Sequence, residues 1–174
     1  MALVVCGAGP AADVGKLVAS AIERGWKVRV ILTPAARAFV DQDALENQCG
    51  EPVRSEHRGP GMPRSAPVDL FAVAPASANT INKLAHGIAD TYALDVLTEA
   101  IGARQPVVVL PFVNTALAAR APFRRSLESL RAEGVRVLLG PGLFEPHSPR
   151  MGKERFEGYP WQLVINTADQ LIPL

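Results

Sequence analysis

Two short segments hold the residues whose types and spacing suit them best for chemistry. The first is Cys6-Gly7-Ala8-Gly9-Pro10-Ala11-Ala12, which fits the pattern G-x-G-x-x-G/A with Ala12 in the third place. Glycine lets the backbone turn tightly, and the amides that open a following helix attract phosphate. Pro10 removes one such amide, which a first helical turn tolerates. A dinucleotide site also needs an acid near the end of the second strand to hold the ribose hydroxyls. Here that strand ends Val30-Ile31-Leu32-Thr33-Pro34, without one. A mononucleotide phosphate therefore fits Gly7, Ala8, Gly9, Pro10 and Ala11 better than NAD does. The plainer reading is a glycine turn that packs helix on sheet. The second segment is Pro75-Ala76-Ser77-Ala78-Asn79-Thr80-Ile81-Asn82-Lys83. Ser77 and Asn79 are able to reach ring heteroatoms, while Ala76 and Ala78 let a planar ring lie close. Thr80 falls where a helix N-cap is wanted. The plainer reading is that Asn79 and Thr80 only cap that helix, and the pattern leaves both open.

Both segments need elements to position them. Continuous apolar runs at Leu3–Cys6, Val28–Leu32, Leu70–Ala74, Val107–Leu110 and Val135–Leu139 predict strands buried on both faces of a parallel sheet. Helical spacing links Val14, Leu17, Val18, Ala21 and Ile22, ending at Gly25, and continues over 35–47. Residues 81–99 predict two helices split near Gly87. Ser126, Leu127 and Leu130 mark a helix ending at Gly134, and 161–171 a last one. Strand–helix alternation predicts an α/β fold, a doubly wound parallel sheet with helices on both faces. The two glycine- and alanine-rich segments then lie at the carboxyl edge of the sheet, where ligands bind. Two stretches break the rhythm. Residues 50–68 and 140–160 each carry four prolines and are expected as long irregular loops, functional or mobile.

The 174 residues predict one domain over 1–174. Eighteen basic and seventeen acidic residues leave a net charge of +1, which argues against reliance on nucleic acid or an anionic membrane. Two cysteines and three histidines, none in CxxC or HExxH spacing, make a structural metal site or disulfide framework improbable. The run Ala2–Cys6 is too short for a signal peptide. The apolar stretch at 105–119 is broken by Pro106, Pro111 and Asn114, so no membrane span is expected and the cytoplasm is the expected location.

Pro75–Lys83, continuing Leu84-Ala85-His86-Gly87-Ile88-Ala89-Asp90, closely resembles the PASANT motif of the homo-oligomeric flavin-containing cysteine decarboxylases. That family includes the peptidyl-cysteine decarboxylases and phosphopantothenoylcysteine decarboxylase; the flavin prenyltransferases are relatives with a different motif. The resemblance implies FMN, its phosphate near Gly7–Ala11 and the Thr33-Pro34-Ala35 turn, and its ring against Ala76–Thr80. It also implies a homo-oligomer, a trimer or an assembly of trimers, in which a neighbouring subunit completes the site. A second family element, Pro-x-Met-Asn-x-x-Met-Trp, meets Pro111-Phe112-Val113-Asn114-Thr115-Ala116-Leu117-Ala118. Pro111 and Asn114 match, while both methionines and the tryptophan are replaced. Asn114 is thus the matched residue for the substrate carboxylate, with a turn residue as the plainer reading.

The family histidine stands about fourteen residues before the PASANT proline, a register that falls on Gly61 here. The prolines of Arg58-Gly59-Pro60-Gly61-Met62-Pro63 also disfavour the short helix that carries it. His57, four residues early, is the candidate base. His86 is expected at the surface or an interface, and His147 in a lid with Arg150 and Lys153. That lid contains no cysteine, so the resemblance implies an oxidised product. FMN would take two electrons from the side chain of a cysteine, most plausibly at a peptide C-terminus, and CO2 would leave to give an aminoenethiol. The alternatives are an FMN-binding redox or accessory protein without decarboxylation, a phosphopantothenoylcysteine decarboxylase-like enzyme, or a prenyltransferase-like one, which the intact PASANT string disfavours.

Overall fold

Five strands form one parallel sheet: β1 (Ala2–Val5), β2 (Arg29–Leu32), β3 (Phe71–Ala76), β4 (Val107–Pro111) and β5 (Arg136–Val137). The computed structural model describes residues 1–59, 61 and 66–173. Strand order is β2-β1-β3-β4-β5, and every neighbouring pair is parallel. The order reverses between β1 and β3, which opens a crevice at their carboxyl ends. This is the doubly wound α/β fold expected, in its flavodoxin-like form. Every residue of β1, β3 and β4 is buried, which explains why these strands read as unbroken apolar runs.

Seven α-helices cover the sheet among the described residues: α1 (Gly15–Glu23), α2 (Gln42–Cys49), α3 (Ala78–Ala85), α4 (Tyr92–Gly102), α5 (Thr115–Ala118), α6 (Ala121–Ala132) and α7 (Trp161–Leu171). α1 packs with α2 and α7, and α3 packs with α4 and α6. α1 buries Leu17, Val18 and Ala21 as expected, with Val14 buried just ahead of it. Ile22, expected on the same stripe, is 41% exposed. The pair α3 and α4 divides near Gly87, whose φ of +66° suits glycine. α7 has the bounds read from the sequence.

Three expectations are corrected. The helix expected over 35–47 is a tight turn at Pro34–Ala38 followed by α2, because Asp41 Oδ1 accepts from Ala44 N at 3.0 Å and restarts the helix. β5 has two residues rather than five; beyond Val137 the ladder continues only through Leu138 N to Val109 O at 2.8 Å. Neither irregular stretch is wholly loose. Leu32 N donates to Arg54 O at 2.7 Å and Arg54 N to Val30 O at 3.1 Å, so this short piece covers the free edge of β2. In the other stretch Tyr159 OH, buried, donates to Leu110 O at 2.6 Å. Pro60, Met62 and Pro63, used above against a helix before Gly61, lie outside the described residues.

One side chain ties the ends of the α1 layer together. Asp169 on α7 accepts from Trp26 Nε1 at 2.9 Å and from Arg24 Nη1 at 2.8 Å. Trp26 is buried, so losing its acceptor costs more than losing the exposed ion pair. Asp169→Ala should lower the unfolding free energy by about 1–3 kcal/mol. Asp169→Asn, which keeps an oxygen for Trp26, should cost less than about 1 kcal/mol. Urea titrations of the two variants check the difference.

Candidate functional site

Above the carboxyl ends of β1, β2 and β3 lies a cavity of about 380 Å³. Four separated segments wall it: Gly7 after β1, Thr33, Pro34 and Ala35 after β2, Ser77, Asn79, Thr80 and Lys83 on α3, and Thr91 and Leu94 on α4. Main-chain bonds hold the first three in place. Thr33 N donates to Val5 O at 2.9 Å, and Cys6 N donates to Pro75 O at 3.1 Å. Gly7 packs so closely on the β2 turn that a Cβ there would stand 2.8 Å from Ala35 backbone atoms. Glycine is required there for that approach.

Ser77, not Thr80, is the N-cap of α3: its backbone is extended and its Oγ accepts from Thr80 N at 3.2 Å. Thr80 sits inside the first turn, 5% exposed, and Asn79 is exposed within the same turn. Neither therefore caps the helix. Ser77 Oγ donates to Thr80 Oγ1 at 3.1 Å, and the Cys6 thiol donates to the same oxygen at 3.3 Å. Burial pushes the Cys6 thiol above its ordinary range, with hydrogen bonds to Thr80 and Ser77 pulling the other way. Burial first, and the neighbouring Cys6 charge second, push the Tyr159 phenol well above its usual value. Thr33 Oγ1 is buried and has no hydrogen-bond partner among the described residues. It heads the Pro34–Ala38 turn without capping it. Lys83 is ion-paired with Asp90 at the rim. Its side chain shares a helix face with Asn79 and Thr80, a spacing of four and three residues that could have marked it from the sequence.

The glycine loop is only partly open. Pro10 and Ala11 are buried in a tight turn over Gly9–Asp13, which begins just after Ala8. A Cβ on Gly9 would overlap the Phe156 ring. Phe156 belongs to the 140–160 stretch, expected to be irregular, which folds into an aromatic cluster around Phe112. The Phe112 ring lies 6.3 Å from Phe144, 4.8 Å from His147, 5.7 Å from Phe156 and 5.7 Å from Tyr159. We refer to residues 140–160 as the strap. Ala76 is fully buried as the last residue of β3, and Ala78 opens α3; neither lines the cavity.

Asn114 follows β4, whose end is pinned to β3 by Phe112 N donating to Ala76 O at 2.9 Å. Asn114 caps α5, its Oδ1 accepting from Leu117 N at 2.9 Å. It also faces His147 of the strap in a parallel bridge. His57 is exposed elsewhere, its Nε2 3.8 Å from Asp95 Oδ2 and its ring edge-on to Tyr92 at 5.1 Å. It lines a second cavity of about 350 Å³ that adjoins the first through Pro34 and Thr91. His86 ends α3 at the surface, with Nδ1 2.8 Å from Asn82 O. No helix among the described residues is long and apolar enough to cross a membrane.

The flavoprotein family model matches residues 1–170. The coenzyme A biosynthesis bifunctional protein CoaBC of Escherichia coli K12 is 32% identical over 133 residues, 72% of this chain and 32% of that protein. The chain thus spans about a third of the length of the bifunctional relatives it matches. The probable phosphopantothenoylcysteine decarboxylase of Streptococcus mutans is 35% identical over 98 residues, 52% of this chain and 54% of that protein. The crystal structure of the FMN-dependent cysteine decarboxylase SpaF superposes on 96% of this chain and 95% of that one, with a TM-score of 0.69 at 25% identity.

Two predictions follow from the geometry. Gly9→Ala should expel Phe156 and loosen the strap, at a cost of about 1–3 kcal/mol, and adding Phe156→Ala should recover part of it. Hydrogen exchange of residues 140–160 in the single and double variants reads this out. The second concerns pH. Cys6 and Tyr159 hold their protons more tightly when folded, so below the ordinary thiol range they add no pH dependence. Above it the unfolded chain ionises first, and stability falls as pH rises. Cys6→Ser should flatten the first part of that fall, checked by urea unfolding between pH 7 and 10.

Proposed function

The chain belongs to the flavoprotein family, and we propose that it binds FMN in the Gly7–Thr33–Ser77–Thr80 cavity and uses it to decarboxylate a cysteine. The observation that carries this reading is the convergence of three glycine-, threonine- and serine-bearing loops on one cavity. The donors fit the group. Among the described residues Thr33 Oγ1 is a buried hydroxyl without a partner, which a ligand oxygen would satisfy. Gly7, Thr33 and Ala35 would hold the phosphate end, and Ser77, Asn79 and Thr80 the ring. Lys83 adds positive charge at the rim. Ala8, Gly9, Pro10 and Ala11 support the loop from behind, under Phe156.

Bound FMN would supply a two-electron acceptor for the cysteine side chain. Once that side chain carries a C=S group, the C=S carbon lies beta to the carboxylate and its sulfur can receive the C–C electron pair as CO2 leaves. The residues of this chain orient and shield. Asn114 spends Oδ1 on capping α5, and its Nδ2 has no partner among the described residues. The amide nitrogen is the donor we assign to the substrate carboxylate. The strap, stitched to Asn114 through His147, stands beside that donor.

A cysteine at a peptide C-terminus is the preferred substrate, giving an aminoenethiol, because the strap carries no cysteine to reduce the intermediate further. The likeness to the Streptococcus mutans protein favours phosphopantothenoylcysteine as the second reading. Exposed Leu117, beside Asn114, and Leu143 and Met151 in the strap support a homo-oligomer, a trimer by resemblance, that covers this edge. The free thiols Cys6 and Cys49 fit a cytoplasmic setting.

The purified protein should carry releasable FMN and remove CO2 plus two hydrogens from a peptide ending in Cys, followed by mass spectrometry. A panel that includes phosphopantothenoylcysteine chooses between the substrates. FMN binding with no mass loss on any member would leave a flavin-binding redox or accessory protein. Asn114→Asp keeps the cap oxygen and removes the amide donor. It should leave FMN absorbance and melting temperature intact while lowering turnover by about 10²-fold or more.

A further inference from the structure

The proposed reaction needs a base for the substrate thiol, and the expected position for one falls on Gly61. Of the three histidines, His147 is the one that the fold sets beside Asn114. Its amide donates to Val113 O at 3.3 Å and its carbonyl accepts from Thr115 N at 2.8 Å. Residues paired across such a bridge project to the same side, so the imidazole and the Asn114 amide share a face. The ring rests 4.8 Å from that of Phe112, two residues before Asn114 and therefore on that face as well.

The hydrogen bonding of the ring selects its role. Nδ1 lies 2.8 Å from the Ser148 carbonyl oxygen. A carbonyl only accepts, so Nδ1 carries the hydrogen and the neutral ring keeps its lone pair on Nε2. Nε2 has no partner among the described residues. Gly152 passes over that edge, where a Cβ would stand 3.3 Å from Cε1 and 3.5 Å from Nε2. Glycine thus lets the main chain pass this edge without a side chain set against Nε2. His57, by contrast, sits in the adjoining cavity against Asp95 and Tyr92, and His86 lies at the surface end of α3.

We propose that His147, in place of His57, accepts the thiol proton of the cysteine whose carboxylate meets Asn114. The inference rests on the decarboxylase reading above. The S–H bond breaks, Nε2 gains the proton, and the electron pair stays on sulfur. The thiolate is the stronger electron donor, and the Ser148 carbonyl holds the charged ring through Nδ1–H. One strap residue thereby closes the site and completes it.

FMN-loaded wild type and His147→Gln are compared on the panel peptide that wild type turns over best. The variant should lose about 10²-fold or more in kcat with flavin absorbance and melting temperature unchanged. His147→Ala should regain turnover as imidazole is added. An unchanged kcat in His147→Gln, or no recovery of His147→Ala with imidazole, overturns the proposal. Wild type inactive on the whole panel instead overturns the decarboxylase reading, and this proposal with it. Nitrogen-15 NMR of wild type labelled at histidine gives a readout apart from activity and from any variant's folding. It should show His147 protonated at Nδ1 and bare at Nε2; a proton on Nε2 in the neutral ring overturns the assignment.

Discussion

The site depends on main-chain hydrogen bonds that continue the sheet ladder beyond its strands. Thr33 N reaches Val5 O, Cys6 N reaches Pro75 O, and Phe112 N reaches Ala76 O. Each joins the loop after one strand to the strand or loop beside it, so the turns after β2, β1, β3 and β4 are held relative to one another. A parallel sheet buried on both faces leaves no solvent to satisfy these groups, so they must pair with each other. The consequence is positional. Gly7, Thr33, Ser77 and Asn114 come from segments far apart in sequence, yet each follows a strand whose end is fixed by its neighbour.

Side-chain polarity in this frame is set from underneath. Thr80 accepts from both Cys6 and Ser77, which locks two hydroxyls and a thiol at the floor of the cavity. Cys6 stays protonated because it is fully buried, and a protonated thiol is the form that can donate. Tyr159 serves the same end from the strap, its phenol fixed on Leu110 O of β4. The strap is therefore bonded to β4 at Leu110 and to the turn after it at Val113 and Thr115, and its aromatic side chains fill the space beside Gly9 and Gly152.

Much of this was legible in the residues. Unbroken apolar runs marked β1, β3 and β4, because burial on both faces removes the alternation that an exposed face would impose. Helix termini at Gly25, Gly87 and Gly134 were legible because each glycine takes a positive φ. Of the segments read as ligand-binding, Gly7, Thr33, Ala35, Ser77, Asn79 and Thr80 line one cavity, whereas Ala8–Ala11, Ala76 and Ala78 do not. What escaped was the choice of cap residue and the long-range contacts. Asp41 interrupts a stripe whose spacing looked continuous. Phe156 covers Gly9 from 147 residues away, and no local pattern announces such a contact. Thr80 looked like a cap because small polar residues precede the helix, but the residue with extended backbone is Ser77.

At Asn114 the cap role and the proposed substrate role do not exclude each other. A turn residue and a substrate-binding residue were set against each other there, as if one role excluded the other. Its two polar atoms face different needs. Oδ1 accepts from Leu117 N, and that bond fixes the side-chain torsions. A carboxamide so fixed presents Nδ2 in one direction at little further entropic cost, which is what preorganised recognition of an anion requires. In the proposed reading the cap would thus aim the donor. The bridge to His147 extends the same logic, since the main chain that shapes the turn also brings an imidazole to its side. On that reading structural and chemical roles would coincide at this corner, because the loops after a parallel sheet have few other ways to hold a polar group still.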